Sequence, residues 1–465
     1  MTVMRLRRHG AWLATTLLVA GCATTRVAVP PPTPLTPTSV VAPETASYRS
    51  ATDAPRVLES IERRLADRQA TAADLSTPDL ATYSNLLLAA GRLPEAEQAL
   101  VLLDGRRPKD HTVLLSLALL AGARGDAPAQ QKRIVALEAA FPGDPDAGNL
   151  RARQLLSQGD RGGARAAWLA VLSSREDPDA LSGLAEWALG AKNPTEALGF
   201  ADRALKATPG DDQLWALHAR IQTDLGQFGP AKRDLDQALV LAPNNPWHHL
   251  DRGKLEWRHL YDPMAAQSDL EFVTIKDPEN FFGWAALAEV YEDQLRPRQA
   301  YDAWLKALSL RPDYRFGYPS AAMLSFRYQD FPHAIAYARE AAKDYPAEYA
   351  FPFVEALSLK AMGQGSAATA VLEKARPRYT RGSTVDEFFR FLLTPGSGSD
   401  YYFNTAMNLE KKDTIRLRLR FYQGVYYALT KSAGSAKAAF EEVTASSLIK
   451  IPEIGASQDW LDHGL

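Results

Sequence analysis

The chain has 465 residues, with 53 lysines and arginines against 55 aspartates and glutamates, and a formal net charge of −2. A charge so close to balance gives no electrostatic ground for nucleic-acid binding. Its single cysteine, Cys22, excludes an intrachain disulfide and a cysteine-built metal site, so stability must come from packed apolar faces.

Arg5, Arg7 and Arg8 precede an apolar run from Ala11 to Ala20, and Val19-Ala20-Gly21-Cys22 closes it. A charged start, a short apolar stretch and small residues at the cut make a signal peptide over residues 1–21. The run is too short to cross a bilayer as a mature helix. The segment resembles a bacterial lipoprotein signal, which implies that Cys22 is lipidated and becomes the new N-terminus. Loss of the three arginines would take the formal charge from −2 to −5. One acyl chain holds only marginally, at about 0.8 kcal/mol per buried CH₂. The resemblance implies more than one chain, hence stable anchoring. Ala23 stands where the family's inner-membrane retention signal would place Asp, which implies the outer membrane, facing the periplasm.

Residues 22–53 hold Pro30, Pro31, Pro32, Pro34, Pro37 and Pro43 among Thr, Ser and Val. Such a stretch cannot build a packed core and favours polyproline II. It is expected to act as a tether between lipid and body. In residues 54–76, Val57, Leu58, Ile61 and Leu65 fall on one face of an amphipathic helix, expected to cap the helical body behind it.

The body is periodic. Prolines stand at 108, 142, 178, 209, 243, 278, 312 and 346, in steps of 34, 36, 31, 34, 35, 34 and 34 residues. Twelve positions before most of them lies an alanine: Ala96, Ala197, Ala231, Ala266, Ala300 and Ala334. Turn glycines such as Gly91, Gly125 and Gly226 lie 17 before. In residues 281–314, Trp284, Leu287, Ala288, Tyr291, Ala300, Trp304, Ala307 and Pro312 occupy positions 4, 7, 8, 11, 20, 24, 27 and 32. This pattern resembles the tetratricopeptide repeat (TPR) at each signature position. Further units begin near 77, 111, 145, 178, 212, 247, 315 and 349, so residues 77–382 make an array of about nine repeats.

The expected fold is therefore all-α, a TPR-type α-solenoid, which the resemblance implies to be a right-handed superhelix of helix-turn-helix repeats. Helices this short are marginal alone in water. Small residues at positions 8 and 20 let helix A approach helix B, and proline at position 32 ends helix B because it lacks an N–H. Stacking of units supplies the core.

Residues 383–416 break the phase. Phe388, Phe389, Phe391, Leu392 and Leu393 make a dense apolar helix, Pro395 to Ser399 a turn, and Tyr401, Tyr402 and Phe403 open another helix. The segment is either a TPR that has lost its signature, or an insertion that caps the array and offers aromatics to a partner. Residues 417–450 return to the pattern with Gly424, Tyr427, Ala436 and Phe440. In the tail, 451–465, Ile451, Ile454, Trp460 and Leu461 are candidates for a last cap.

No phosphate-binding glycine loop, HExxH or GxSxG pattern occurs. His248, His249 and His259 are expected to be ordinary helix histidines, since adjacent residues on a helix point apart. Glu441 and Glu442 read as a solvated face, and nothing places Asp400 near Asp413. No catalytic residue, cofactor or metal is expected.

The TPR resemblance places binding along helix A, near positions 2, 5, 9 and 12. Those positions hold Gln213, Arg220 and Thr223; then His248, Asp251 and Arg258; then Phe282, Glu289 and Glu292; then Phe316, Met323 and Phe326. The groove turns from polar to aromatic along the chain. Phe282, Phe316, Met323 and Phe326 form a candidate apolar shelf for a partner peptide or helix, with Arg220 and Arg258 as cationic contacts. The other possibility is that these rings pack on the next helix or on residues 383–465 folding back. The first unit has Ala81 and Asn85 where carboxylate-clamping TPRs carry Lys and Asn, so that clamp is not matched.

The expected function is a non-catalytic, lipid-anchored scaffold that holds protein partners in its concave groove. Similar lipoproteins act as cell-wall-hydrolase adaptors, pilotins, or parts of polysaccharide export machinery. The segment Phe421-Tyr422-x-Gly424-x-Tyr426-Tyr427 resembles the last TPR of the hydrolase-adaptor type. The alternatives are a groove that stacks on glycan, and an enzyme with its site in 383–465.

Overall fold

The computed structural model describes residues 54–430, 432–446 and 452–462. The signal segment, Cys22, the proline-rich stretch and Ile451 lie outside the described residues. Among the described residues there are 24 α-helices and no strand.

The chain divides into two compact units, one ending at Pro243 and the other starting at Asn244. In the first, α1 (Ala54–Asp67) is followed by hairpins of an A and a B helix. These pair α2 (Thr77–Ala89) with α3 (Leu93–Arg106), α4 (His111–Ala123) with α5 (Ala127–Ala140), and α6 (Pro145–Ser157) with α7 (Arg161–Ser174). Two more pair α8 (Pro178–Gly190) with α9 (Pro194–Ala207), and α10 (Asp212–Asp224) with α11 (Phe228–Leu241). The second unit pairs α12 (Pro246–Leu255) with α13 (Pro263–Lys276), α14 (Phe281–Asp293) with α15 (Pro297–Leu310), and α16 (Tyr318–Arg327) with α17 (Phe331–Asp344). It continues with α18 (Ala350–Ala361) and α19 (Gly365–Ala375), α20 (Thr384–Leu393) and α21 (Ser399–Leu409), α22 (Asp413–Leu429) and α23 (Ala433–Thr444), and ends on α24 (Pro452–Asp462). This is an all-α, TPR-type solenoid architecture.

Local chemistry sets the boundaries. Asp110, Asp144, Asp177, Asp211, Asn245 and Asn280 sit at the N-caps of successive A helices, each side chain accepting a backbone N–H. Pro145, Pro178 and Pro246 follow at the first helical position, where a missing N–H costs nothing. Pro178 thus starts α8 instead of closing a B helix, which explains the irregular steps of 36 and 31 on either side of it. A helices end on a left-handed residue: Gly91, Gly125, Gly159 and Gly226, but also Lys192, Leu295 and Gln329. Where the sequence places a unit start near 315, a 3₁₀ turn over Arg315–Gly317 precedes α16, because Pro319 fits only a helix's first turn.

The alanines at position 20 do what the pattern requires. Ala96, Ala197, Ala231, Ala266, Ala300 and Ala334 are fully buried. A Cβ on Gly424 would stand 2.6 Å from Phe440 Cε1, so that glycine permits the closest approach of α22 to α23. In the first unit the apolar core falls into separate small clusters, and α1 closes its front with Leu58 and Ile61 buried. In the second unit one cluster runs from Leu250 to Trp460 and is rich in aromatics.

Residues 383–416 form the α20–α21 hairpin. Phe388, Phe389, Phe391 and Phe403 are buried, packed on Phe353, Tyr426 and one another. These rings are core and are not offered to a partner; Tyr401, 70% exposed, is the exception.

Candidate binding groove

The A-helix face of α12, α14 and α16 carries the densest set of sequence-selected groove residues. Its shape depends on one extra residue. Helices α2, α4, α6, α8, α10 and α14 reach their left-handed residue 14 positions after they begin, as from Asp212 to Gly226 or Phe281 to Leu295. From Pro246 the left-handed residue is Tyr261, one position later, and Glu256–Leu260 wind as a π-helix that takes up the excess. π-turns of this kind often mark functional sites. The unit therefore begins at Pro246, not Trp247. Gly253 is its small residue, with Leu270 Cγ 3.1 Å and Ala266 O 3.3 Å from where a Cβ would lie.

The π-turn aims Trp257 and Arg258 at α14. Trp257 Nε1 donates to Asp293 Oδ2, and Arg258 pairs with Glu289 at 3.2 Å while its guanidinium lies 4.9 Å from the Trp257 ring. Lys254 has its ammonium 5.2 Å from the centre of the Phe282 ring, and no carboxylate pairs with it among the described residues. Desolvation lowers its pKa; Asp251 and Glu289 oppose this, and Arg258 adds to it. Trp247 tilts against Phe282, with centroids 6.3 Å apart. Phe281 meets Tyr314 edge-on at 4.7 Å, Tyr314 meets Phe316 at 5.7 Å, and Arg311 lies over both Phe281 and Phe282.

Beneath this band lies Glu292. Trp304 Nε1 donates to its Oε1 at 2.7 Å and Ser320 Oγ to its Oε2 at 3.2 Å. Burial pushes its carboxyl up to about 7, the two hydrogen bonds pull it down, and Glu289 and Asp293 add like-charge repulsion. Burial raises Glu289 as well, against the pull of Arg258 and Lys254.

The six sequence-selected residues do not make one surface. Phe282 is half-buried under Lys254, and Phe316 is 73% exposed beside Tyr314. Phe326 is only 1% exposed, packed on Phe421, Tyr422 and Trp460, so it is core and leaves the shelf. Met323 is half-buried at the Tyr422 hydroxyl. The C-terminal helices fold back over this part of the A-helix face, which no helical periodicity within the repeat encodes. Arg258 joins the band, whereas Arg220 belongs to the first unit and faces Glu186 at 3.6 Å.

Lys254, Trp247 and Trp257 were missed. Numbering the unit from Trp247 puts Lys254 at the small-residue position, and the 35-residue step from Pro243 to Pro278 is the signal that corrects it. Of the histidines, buried His248 contacts Asn245 and His249 contacts Asp269, so these two are held separately. Among the described residues His218 stands between Asp234 at 2.7 Å and Asp202 at 3.0 Å, and His111 Nε2 lies 3.1 Å from Asp144 and 3.6 Å from Asp146. His111, Asp144 and Asp146 sit at the N-termini of α4 and α6, where backbone N–H groups favour anions, and Asp144 already caps α6.

No family model and no curated protein matches the sequence. Solved structures similar to part of the chain include Pseudomonas aeruginosa PilF, with 16% identity over 45% of this chain and 95% of that one, TM-score 0.40. PilW, a type IV pilus biogenesis factor, has 16% identity over 44% and 95%, TM-score 0.34. YrrB, a TPR protein with an unusual peptide-binding site, has 19% identity over 40% and 95%, TM-score 0.33.

Proposed function

We propose that this protein is a non-catalytic scaffold, anchored through lipid on Cys22 at the periplasmic face of the outer membrane, which holds a protein partner on the A-helix face of α12, α14 and α16. One observation carries the groove assignment. Among the described residues Lys254 stands without an ion-pair partner, its ammonium over the Phe282 ring, on a face that also carries Trp247 against Phe282, Trp257 under Arg258 and the exposed Phe316. A desolvated cation costs free energy unless an anion meets it. The complementary partner is a polypeptide that brings a carboxylate to Lys254 and apolar side chains to the rings.

Lipid anchoring confines the scaffold to two dimensions and raises the partner's local concentration. Adaptors for cell-wall enzymes, pilus assembly and polysaccharide export all fit this build. A photo-crosslinker at Phe316 in the full lipidated chain tests the reading. Capture of a protein that falls at least tenfold in Lys254→Gln, with unchanged melting, is the expected result. Capture indifferent to that substitution, or of glycan alone, refutes it. Cys22→Ser should release the chain from the membrane.

A further inference from the structure

Helix α24 lies in a slot between α16 and the α22–α23 hairpin. Its buried positions are Glu453, Ala456, Ser457 and Trp460, the i, i+3, i+4, i+7 pattern of a helix seated in a groove. The Trp460 ring stands 6.1 Å from Phe326, 6.4 Å from Phe331 and 6.0 Å from Phe440. Asp459 pairs with Arg327, and Glu453 lies 3.3 Å from Arg418. Gly455 admits the Arg327 guanidinium, which would stand 2.8 Å from a Cβ there.

The seat is imperfect. Glu453 Oε2, Ser457 Oγ and Trp460 Nε1 on the helix are buried without a hydrogen-bond partner, and so are Ser325 Oγ and Tyr349 Oη in the surrounding wall. A cavity of about 40 Å³, lined by Pro319, Met323, Glu348, Ala350, Phe351, Arg418 and Glu453, remains beside the first turn. By contrast α23, which buries Ala436, Ala439, Phe440 and Val443, leaves no such orphaned side-chain atom among the described residues. Docking α24 removes polar groups from water and returns few hydrogen bonds, so undocking recovers their hydration.

We propose that α24 is a displaceable internal ligand, and that its slot is a second docking site for an amphipathic helix of a partner protein. That helix would place a carboxylate at Arg418 and, seven residues on, an aromatic ring among Phe326, Phe331 and Phe440, as α24 does. Polar side chains that satisfy Ser325 and Tyr349 would give it the advantage over α24. This site is separate from the Lys254 band, and the two assignments stand or fall independently.

Hydrogen exchange on the full chain tests it first. The amides of α24 should exchange at least tenfold faster than those of α22 and α23. Trp460→Ala should speed α24 exchange a further tenfold or more while α16, α18 and α22 keep their protection. A labelled peptide of residues 452–462 should then bind the Trp460→Ala chain at least tenfold more tightly than the unsubstituted chain. Equal protection of α24 and α22 in the unsubstituted chain overturns the proposal, which keeps it testable even where the variant fails to fold. Joint loss of protection in α16 and α22, or peptide binding unaffected by the substitution, overturns it too. Exchange of α24 between copies, seen as concentration-dependent dimers, would assign the slot to a second copy and overturn the partner assignment.

Discussion

Glu292→Gln should stabilise the second unit, by an amount that grows as pH rises from 4.5 to about 7 and is constant above. The side chain lies under the groove, held by Trp304 Nε1 and Ser320 Oγ, and its carboxyl is pushed from 4.5 up to about 7, foremost by burial. Between pH 4.5 and 7 the unfolded chain releases this proton while the folded chain keeps it. Stability therefore falls as pH rises through that window, and the full cost applies above it. At 1.36 kcal/mol per pKa unit the cost has a ceiling of about 3 kcal/mol, and partial solvent access lowers it to ~1–2. Glutamine keeps the acceptor for Trp304, offers a donor to Ser320 and cannot ionise. Hydrogen exchange of α14 and α15 amides reads local stability directly, which matters in a repeat array that need not unfold as one unit. The variant should match the unsubstituted chain at pH 4, below the unfolded pKa, and gain ~1–2 kcal/mol at pH 8. A difference that does not change with pH, or a loss at pH 8, would refute the burial argument.

Two further substitutions separate core from surface. Phe326→Ser should cost about 3–5 kcal/mol and open the seat of Trp460, whereas Phe316→Ser should stay within ~0.5 kcal/mol in urea titration; similar losses at both would contradict their opposite burial. Gly424→Ala should destabilise by about 1–2 kcal/mol, because overlap with buried Phe440 outweighs the ~1 kcal/mol gain in helix propensity; an unchanged or raised midpoint would show that Phe440 yields freely.

The hairpins were legible because most boundaries have local chemistry: an Asp or Asn cap, a proline at the first helical position or beyond a B helix, a left-handed residue between A and B. Ala300 and Trp304 are core for reasons contained in one repeat. Phe326 is different. Its position within the repeat is the same as that of Thr223, which is only half-buried, and nothing local separates the two. What buries Phe326 is Trp460, 134 residues downstream. The candidate site was half legible for a related reason. Arg258, Phe282, Glu289 and Glu292 follow from position in the repeat, but Lys254 depends on how a single surplus residue is stored.

That surplus residue gives the sharpest structural test of the groove. If the π-turn serves only to fit a 35-residue step, removing it should be harmless everywhere. If it aims the site, removal should separate stability from binding. Deletion of His259 brings the span from Pro246 to the left-handed residue back to the 14 positions seen in α2, α4, α6, α8, α10 and α14 and lets Glu256–Leu260 wind as ordinary α-helix. The buried anchors Leu250, Gly253 and Leu255 precede the change and keep their contacts with α13. Trp257 and Arg258 lie within it and turn away from Asp293 and Glu289. Loss of these two exposed contacts, set against relief of the irregular winding, should leave stability within ~1 kcal/mol. Crosslinking from Phe316 should nevertheless fall at least as far as in Lys254→Gln. A deletion that melts α12 and α13 would make the π-turn a packing element; one that leaves capture intact would show that the orientation of Trp257 and Arg258 is irrelevant to the partner.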